Sequence, residues 1–410
     1  MTVISSDVCV VGAGPAGLTL SLLLLRSGLT VTLVERSALH GREFRGEILQ
    51  PGGMELLDGL GVLSGAMARG GYPLDRFRLR EGRRTLLDID YRRLEAPYNQ
   101  LLSIPQQHLL EELLAHCEKL PGFTYLPGHR VGSLQRHEGR TTGLTTRSPD
   151  GGTRVNAGCV VGADGRYSKV RQLAGIQAGR LEAFDFDVLW LKVPIGSTGA
   201  ASGAREVSVV RSRGNPVLVY PSWPDSVQIG WTLPHRSFAG SKDAVFARAR
   251  EEIVQALPQY ADAVRAALES ANDLTLLDVF AGCADTWVQD GLVLIGDAAH
   301  THSPLGAQGI NLAIQDAALL HPVLTAAVRG GSFAAEHLRA YETGRRPAID
   351  AVMKFQVMQS RMMLARGGLE ARLRPVVARI VGRTPIGAKI TARIAYGSSP
   401  VPLRTDLFTS

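Results

Sequence analysis

The hydrophobic positions of this chain follow two rhythms, which change along its length. Near the start, "VCVVGAGPAGLTLSLLLL" (Val8 to Leu25) runs for eighteen residues without a charged side chain. A membrane span, an export signal, or a buried strand and helix joined by a glycine turn could each be written this way. A span needs roughly 20 apolar residues and is poorly served by the glycines and proline near the start of the run. A signal peptide needs a positive leading region, and the only charged side chain before the run is Asp7. The pattern therefore predicts a strand in "DVCVVGAG", a helix in "AGLTLSLLLLRSG" ended by Gly28, and a second strand in "TVTLVER" ending at Glu35. Together these form a strand–helix–strand unit of about thirty residues, the length of a parallel crossover.

Farther along, "QQHLLEELLAHCEKL" has the spacing of an amphipathic helix and "GCVVGADG" that of a buried strand. The rhythm then shifts to strict alternation. "REVSVVRSRGNPVLVYPSWPDSVQIGWTLP" predicts three strands separated by "RGN" and "PD", and "DRFRLREGRRTLLDIDY" (Asp75 to Tyr91) has the same hairpin pattern. "GLVLIGDAAH" returns to the buried-strand style, with a helix expected from near Gly309. The reading is an α/β chain: a discontinuous Rossmann-like nucleotide-binding domain over 1–74, 92–178 and 281–344, and an inserted, mainly antiparallel sheet domain over 75–91 and 179–280. A C-terminal helical segment covers 345–410.

Composition changes this picture little. Apolar residues at 45% and charged residues at 20% of 410 describe an ordinary globular protein of two or three domains. Cys9, Cys117, Cys159 and Cys283 form no CxxC pair, which fits a reducing cytoplasm and small buried side chains rather than disulfides or zinc. Charge is more informative. From Arg345 onward twelve Lys or Arg face three acids, a net of +9, so the +7 of the whole leaves about −2 for the rest. In "LEARLRPVVARIVGR" the basic residues alternate with apolar ones at helical spacing, which reads as helices packed on the body with a solvated basic face. Peripheral contact with a membrane surface is the alternative; no nucleic-acid partner and no integral membrane segment are expected.

Three motifs carry chemistry. Gly12-x-Gly14-x-x-Gly17 provides a tight turn, a close approach for a pyrophosphate and a close helix–sheet contact, while Glu35 can accept ribose hydroxyls. An acid there suits an ADP moiety without a 2′-phosphate, as in FAD or NAD. In "GLVLIGDAAHTHSPLGAQGINLAIQDA", Asp297 ends a buried strand, where it can bond a polyol. The glycine-rich turn that follows aims a helix N-terminus at a group that becomes anionic. In "VVGADGRYSKVRQLAG", Asp164 and Gly165 follow another buried strand. His300 and His302 lack further ligands at metal-site spacing, so no metal is expected there.

Taken together, the three motifs resemble those of the FAD-dependent aromatic hydroxylases, the group A flavoprotein monooxygenases with the para-hydroxybenzoate hydroxylase fold. The resemblance covers residues 5 to about 330. It implies an FAD-binding domain, with Gly12, Gly14, Ala16 and Gly17 at the pyrophosphate, Glu35 on the adenosine ribose and Arg36 beside the adenine. It further implies Arg45 near the flavin and its phosphates, Gln106 (with Gln107 adjacent) toward the ribityl and phosphate region, and Val131 at the adenine. Asp297 is implied on the ribityl chain, Pro304, Gly306, Gly309 and Asn311 along the flavin ring, and Asp164 with Gly165 serving both FAD and the nicotinamide nucleotide. NADPH or NADH would reduce the FAD. O₂ would then add as a C4a-hydroperoxide whose distal oxygen hydroxylates or epoxidises an aromatic or conjugated small molecule. No dedicated catalytic side chain is expected, because the cofactor carries the chemistry. Arg45 and Arg166 are candidates for the nicotinamide nucleotide's phosphates.

The substrate is expected between the flavin and the antiparallel sheet, near "VLVYPSWPDSVQIGW", with Tyr220, Trp223 and Trp231 as a candidate aromatic wall. Rival readings are a flavin-dependent halogenase, for which "WLKVPIG" lacks a second tryptophan, an isoprenoid-type reductase, and a flavin-binding protein without turnover. Monomer and homodimer are both compatible with the sequence.

Overall fold

The computed structural model describes residues 1–38, 47–82, 84–181, 183–196, 205–211, 215–239, 242–364, 385–397 and 400–409. Its centre is a mixed sheet with five parallel strands, in the order Leu292–Leu294, Gly151–Gly162, Thr2–Val11, Val31–Val34, Phe123–Leu126. A strand flanked on both sides and covered on both faces has no polar side to show, and Val8, Cys9 and Val10 are fully buried. The helix Pro15–Arg26 buries ten of its twelve residues, between the sheet and the helices Gly309–Gly330 and Gln106–Glu118. The charge-free run is thus a strand and a helix apolar all round because both are enclosed.

A second sheet of seven strands runs in the order Thr275–Leu277, Phe186–Pro194, Ser226–Pro234, Val217–Ser222, Glu206–Arg211, Arg76–Glu81, Arg84–Asp90. It is antiparallel except where Glu206–Arg211 runs beside Arg76–Glu81. Alternation divides its side chains between two faces. Leu189, Leu191, Val219, Ile229 and Trp231 pack under the helices Lys242–Ala256 and Ala261–Ala267, with Ala249 and Ile253. Phe77, Val207, Leu218, Tyr220 and Trp190 point the other way, onto Ile48, Tyr91, Ala307 and Tyr396. Trp190 can lie flat there because its cross-strand partner is Gly230, where a Cβ would come within 2.9 Å of the indole.

Two small sheets join these bodies: Ala178–Leu181 with Ala281–Ala284 and His300–Thr301, and Ile48–Leu49 with Leu101–Ser103 and Tyr72–Leu74. The C-terminal segment returns to the first unit. Ala395 and Tyr396, at the end of the helix Pro385–Tyr396, press on Gly52, and Thr409 N–H donates to Arg26 C=O at 2.8 Å. The expected solvated basic face needs correction at two positions. Arg345 is buried against Asp316, and Arg346 pairs with Glu342 under Trp287, whereas Arg404 stays exposed and pairs with Asp406. All of "LEARLRPVVARIVGR" lies outside the described residues, as does Arg45. No described helix is long and apolar enough to cross a membrane.

Candidate active site

The parallel strands deliver their C-terminal ends to one edge, where the glycine turn begins. Gly12 has φ +106°, and a Cβ on it would lie 2.4 Å from Ala163 C=O; at Gly17 a Cβ would lie 1.9 Å from Gly12 C=O. Only glycine permits either approach. Gly14 is the N-cap of the helix Pro15–Arg26, and no side chain caps it. The helix Gly309–Gly330 likewise begins without a side-chain cap, and the space beside Gly309 is open. Gly296 (φ +57°) brings the Asp297 turn against the first helix, since its Cβ would lie 3.4 Å from that of Ala16. Two uncapped, electropositive helix starts therefore lie beside the turn that carries the partly exposed Asp297 carboxylate. That donor set fits the pyrophosphate, polyol chain and reducible ring of FAD.

At the adenosine end, Glu35 is buried, accepting the N–H groups of Ala13 at 2.8 Å and Ser37 at 3.0 Å. Its own carbonyl receives His129 N–H, which brings the segment leading to Val131 alongside; Arg36 points outward. Gln106 and Gln107 separate clearly. Gln107 is exposed and bonds Glu111 one turn on, whereas Gln106 starts the helix half-buried.

Asp164 is committed locally: it accepts from the Ser168 hydroxyl and from the N–H groups of Lys169 and Val170, so it caps the helix Lys169–Leu173. Gly165 beside it has φ +84° and open space. Arg166 reaches Asp297 at 3.7 Å and borders a cavity of about 170 Å³ with Arg171, Arg180 and Phe280. The Arg180 guanidinium stacks 4.2 Å from the Phe280 ring centre.

The loop from Pro304 to Gly309 is tied down by Asn311 together with Gln50 and Tyr91, two groups that sequence reasoning did not single out. Asn311 Oδ1 accepts Gln50 N–H at 2.9 Å, and its amide donates to Ala307 C=O at 2.9 Å. The Gln50 side chain donates to Gly306 C=O and accepts from the Tyr91 hydroxyl. Below the loop, His302 and His300 bond each other at 2.9 Å, and His300 meets Asp316 at 2.7 Å. Burial holds His302 well below the ordinary histidine range, so it stays neutral beside the loop.

The aromatic wall is not the expected trio. Trp231 is a correction: it points to the helix-covered face, 1% exposed, and donates its indole N–H to Glu252 at 2.8 Å. Trp223 sits at the hairpin tip, 36% exposed and packed on Gly70 and Tyr72. Tyr220 alone of the three faces the Pro304–Gly309 loop, edge-on to Trp190 with ring centres 6.3 Å apart. Register carried the missed signal, because Trp190 and Tyr220 fall on one face once their strands are aligned through Ser226–Pro234.

Fold and cleft together define a flavin-dependent hydroxylase. Residues 5–356 match the family described as "FAD binding domain", and the chain belongs to that family. The chain is 54% identical over 403 residues to a 6-methylpretetramide 4-monooxygenase of Streptomyces rimosus, covering 98% of this chain and 95% of that one. It is 30% identical over 377 residues to a 3-amino-4-hydroxybenzoate 2-monooxygenase of Streptomyces platensis, covering 86% and 88% respectively. Among solved structures, p-nitrophenol 4-monooxygenase from Pseudomonas putida superposes with a TM-score of 0.81 at 21% identity, covering 96% of this chain and 97% of that one. This protein is an FAD-dependent monooxygenase, of a family in which the use of NAD(P)H and O₂ is general.

Proposed function

We propose that the chain hydroxylates a fused polycyclic aromatic substrate bearing phenolic hydroxyls, of the kind named for its 6-methylpretetramide-hydroxylating relative. The 54% identity across 98% of the chain carries this reading. Its physical counterpart is the broad apolar and aromatic junction of Trp190, Tyr220, Tyr91, Phe77 and Leu218 facing the Ala307 loop. Such a wall suits flat rings and keeps water from the reacting atoms.

Bound FAD supplies the redox chemistry, taking electrons from NAD(P)H and delivering one oxygen atom of O₂. The chain's own residues hold and orient it. Gly12, Gly14, Ala16 and Gly17 face the pyrophosphate with the helix dipole behind them, and Glu35 takes the ribose while Arg36 and Val131 flank the adenine. Gln106 and Asp297 serve the ribityl and phosphate region, with Arg45 toward the phosphates. Pro304, Gly306 and Gly309 line the ring, and Asn311 holds their loop in place. Asp164 and Gly165 shape the turn leading to Arg166, and the arginine-lined cavity there suits the phosphates of a transient nicotinamide nucleotide. A reducing cytoplasm fits four free cysteines, three of them buried; a monomer or homodimer completes the proposal.

The test is NADPH oxidation by the purified holoenzyme with and without 6-methylpretetramide, followed by product mass. Stimulated oxidation with a product one oxygen heavier supports the reading. Oxidation that yields only hydrogen peroxide rejects this substrate class, and a colourless protein without FAD rejects the flavin assignment.

A further inference from the structure

At the junction of the two bodies lies a buried acid outside the set of residues assigned to the cofactor. Glu47 precedes the short strand Ile48–Leu49, which contributes Ile48 to the aromatic junction. Only 6% of Glu47 is exposed. Its backbone is fixed, since Glu47 C=O accepts Ile104 N–H at 2.7 Å. Its carboxylate accepts the hydroxyl of fully buried Ser222 at 2.6 Å, across 175 residues of chain. Ser222 and Tyr220 share one face of the strand Val217–Ser222, which places Tyr220 beside Glu47. An acid at the rim of an apolar, aromatic surface is costly to bury, and a single serine does not offset that cost.

We propose that Glu47 is the proton acceptor that ionises the phenolic hydroxyl of a substrate bound against Tyr220, a residue of the reaction beyond those that hold the cofactor. The inference rests on the hydroxylase reading above. The step is a proton transfer: the substrate O–H bond breaks, its electron pair stays on oxygen, and the proton forms an O–H bond on Glu47. The resulting phenolate is the more electron-rich ring and the better acceptor of an electrophilic oxygen. The Tyr220 hydroxyl, next to Glu47, keeps its hydrogen and can donate it to the phenolate. Burial and the adjacent Glu47 charge hold the Tyr220 hydroxyl far above its ordinary range, so it remains a donor.

The groups facing Glu47 define its poise. Burial pushes its carboxyl upward, while Ser222 and Tyr220 on one strand, Lys192 on the next and His108 from the helix Gln106–Glu118 surround it; Ser222, Lys192 and His108 draw the carboxyl back. Lys192 bonds Trp223 C=O and His108 bonds Gly70 C=O, both at the solvent-facing end of the hairpin. The proton therefore has an exit on that side.

The test uses FAD-loaded enzyme and 6-methylpretetramide, following the absorbance of the bound phenolate and the pH–rate profile of hydroxylation. With Glu47→Gln, the bound substrate should remain a phenol to higher pH, and hydroxylation near neutrality should fall by roughly 100-fold and recover as pH rises. Glu47→Asp should restore part of the rate. Ser222→Ala removes a bond that favours the ionised acid, so the acid limb of the profile should move to higher pH. The second variant decides the matter if Glu47→Gln does not hold FAD. The proposal is overturned if Glu47→Gln ionises the bound substrate at the wild-type pH and turns over within about twofold of wild type, or if Ser222→Ala leaves the acid limb unmoved. Failure of the wild-type enzyme to bind or hydroxylate 6-methylpretetramide would instead reject the substrate reading.

Discussion

Asn311 and Gln50 stand 261 residues apart in the chain and are joined by a buried 2.9 Å hydrogen bond from backbone to side chain. Through this contact the start of the helix Gly309–Gly330 fixes both the Pro304–Gly309 loop and the strand that carries Glu47 and Ile48. Asn311→Leu leaves the Gln50 N–H and Ala307 C=O without partners in a buried setting, at a cost of about 1–3 kcal/mol. Thermal melts should show that loss, and flavin titration should show FAD affinity weakened by roughly tenfold. Wild-type affinity in the variant would mean the loop holds its shape without the asparagine.

The two faces of the seven-stranded sheet give opposite outcomes for two tryptophans. Trp231→Phe removes the Glu252 bond and core volume, and should cost about 1–3 kcal/mol with KM for the aromatic substrate unchanged. Trp190→Ala should raise that KM by roughly tenfold with the flavin spectrum intact. Steady-state kinetics on folded, flavin-loaded protein separates them; a KM change confined to Trp231→Phe would reverse the assignment of faces.

His321 bonds Ser27 at 2.7 Å between the helices Gly309–Gly330 and Pro15–Arg26. Burial, aided by Arg404, lowers its pKa from 6.5 to about 4. The unfolded chain thus takes up this proton first. Its contribution is complete above pH 6.5 and is lost as pH falls toward 4, to a depth of up to about 3 kcal/mol. His321→Gln keeps a partner for Ser27 but does not titrate, so the fall in Tm over that window should be shallower. His302, also held neutral by burial, accounts for slope that remains. An unchanged slope in His321→Gln would show that the imidazole is already solvated.

Asp316 acts in the same direction but over a lower pH window. Burial pushes its carboxyl up, but His300 at 2.7 Å and Arg345 at 2.7 Å outweigh this and bring it down to about 2 from 3.8. Its contribution is present above pH 4 and lost between about 4 and 2. Arg345→Met strands a buried carboxylate and should cost about 3–5 kcal/mol, while Asp316→Asn combined with Arg345→Met should recover part of it. Denaturant melts at neutral pH check both; a double variant no better than the single would remove the pairing argument.

The glycine turn was legible because a single residue type solves a local steric problem: only glycine fits at Gly12 and Gly17 beside neighbouring carbonyls. The alternating strands were legible too, though not which face met the cofactor. That depended on the helix Lys242–Ala256 covering Trp231, a tertiary fact absent from period-two alternation. Asp164 reads identically as ligand or cap until the turn of Ser168 and Val170 folds back onto it. Glu47 and Gln50, in "FRGEILQPGG", have no periodic signal; their meaning comes from Ser222 and Asn311, far away in the chain.

The most direct measurement is the source of the oxygen in the product. FAD-loaded enzyme is given NADPH and 6-methylpretetramide under ¹⁸O₂ in ordinary water, and the product is weighed by mass spectrometry. The account predicts one heavy oxygen atom per product molecule, on an aromatic ring. A product carrying only ordinary oxygen, or one reduced rather than oxygenated, would contradict it.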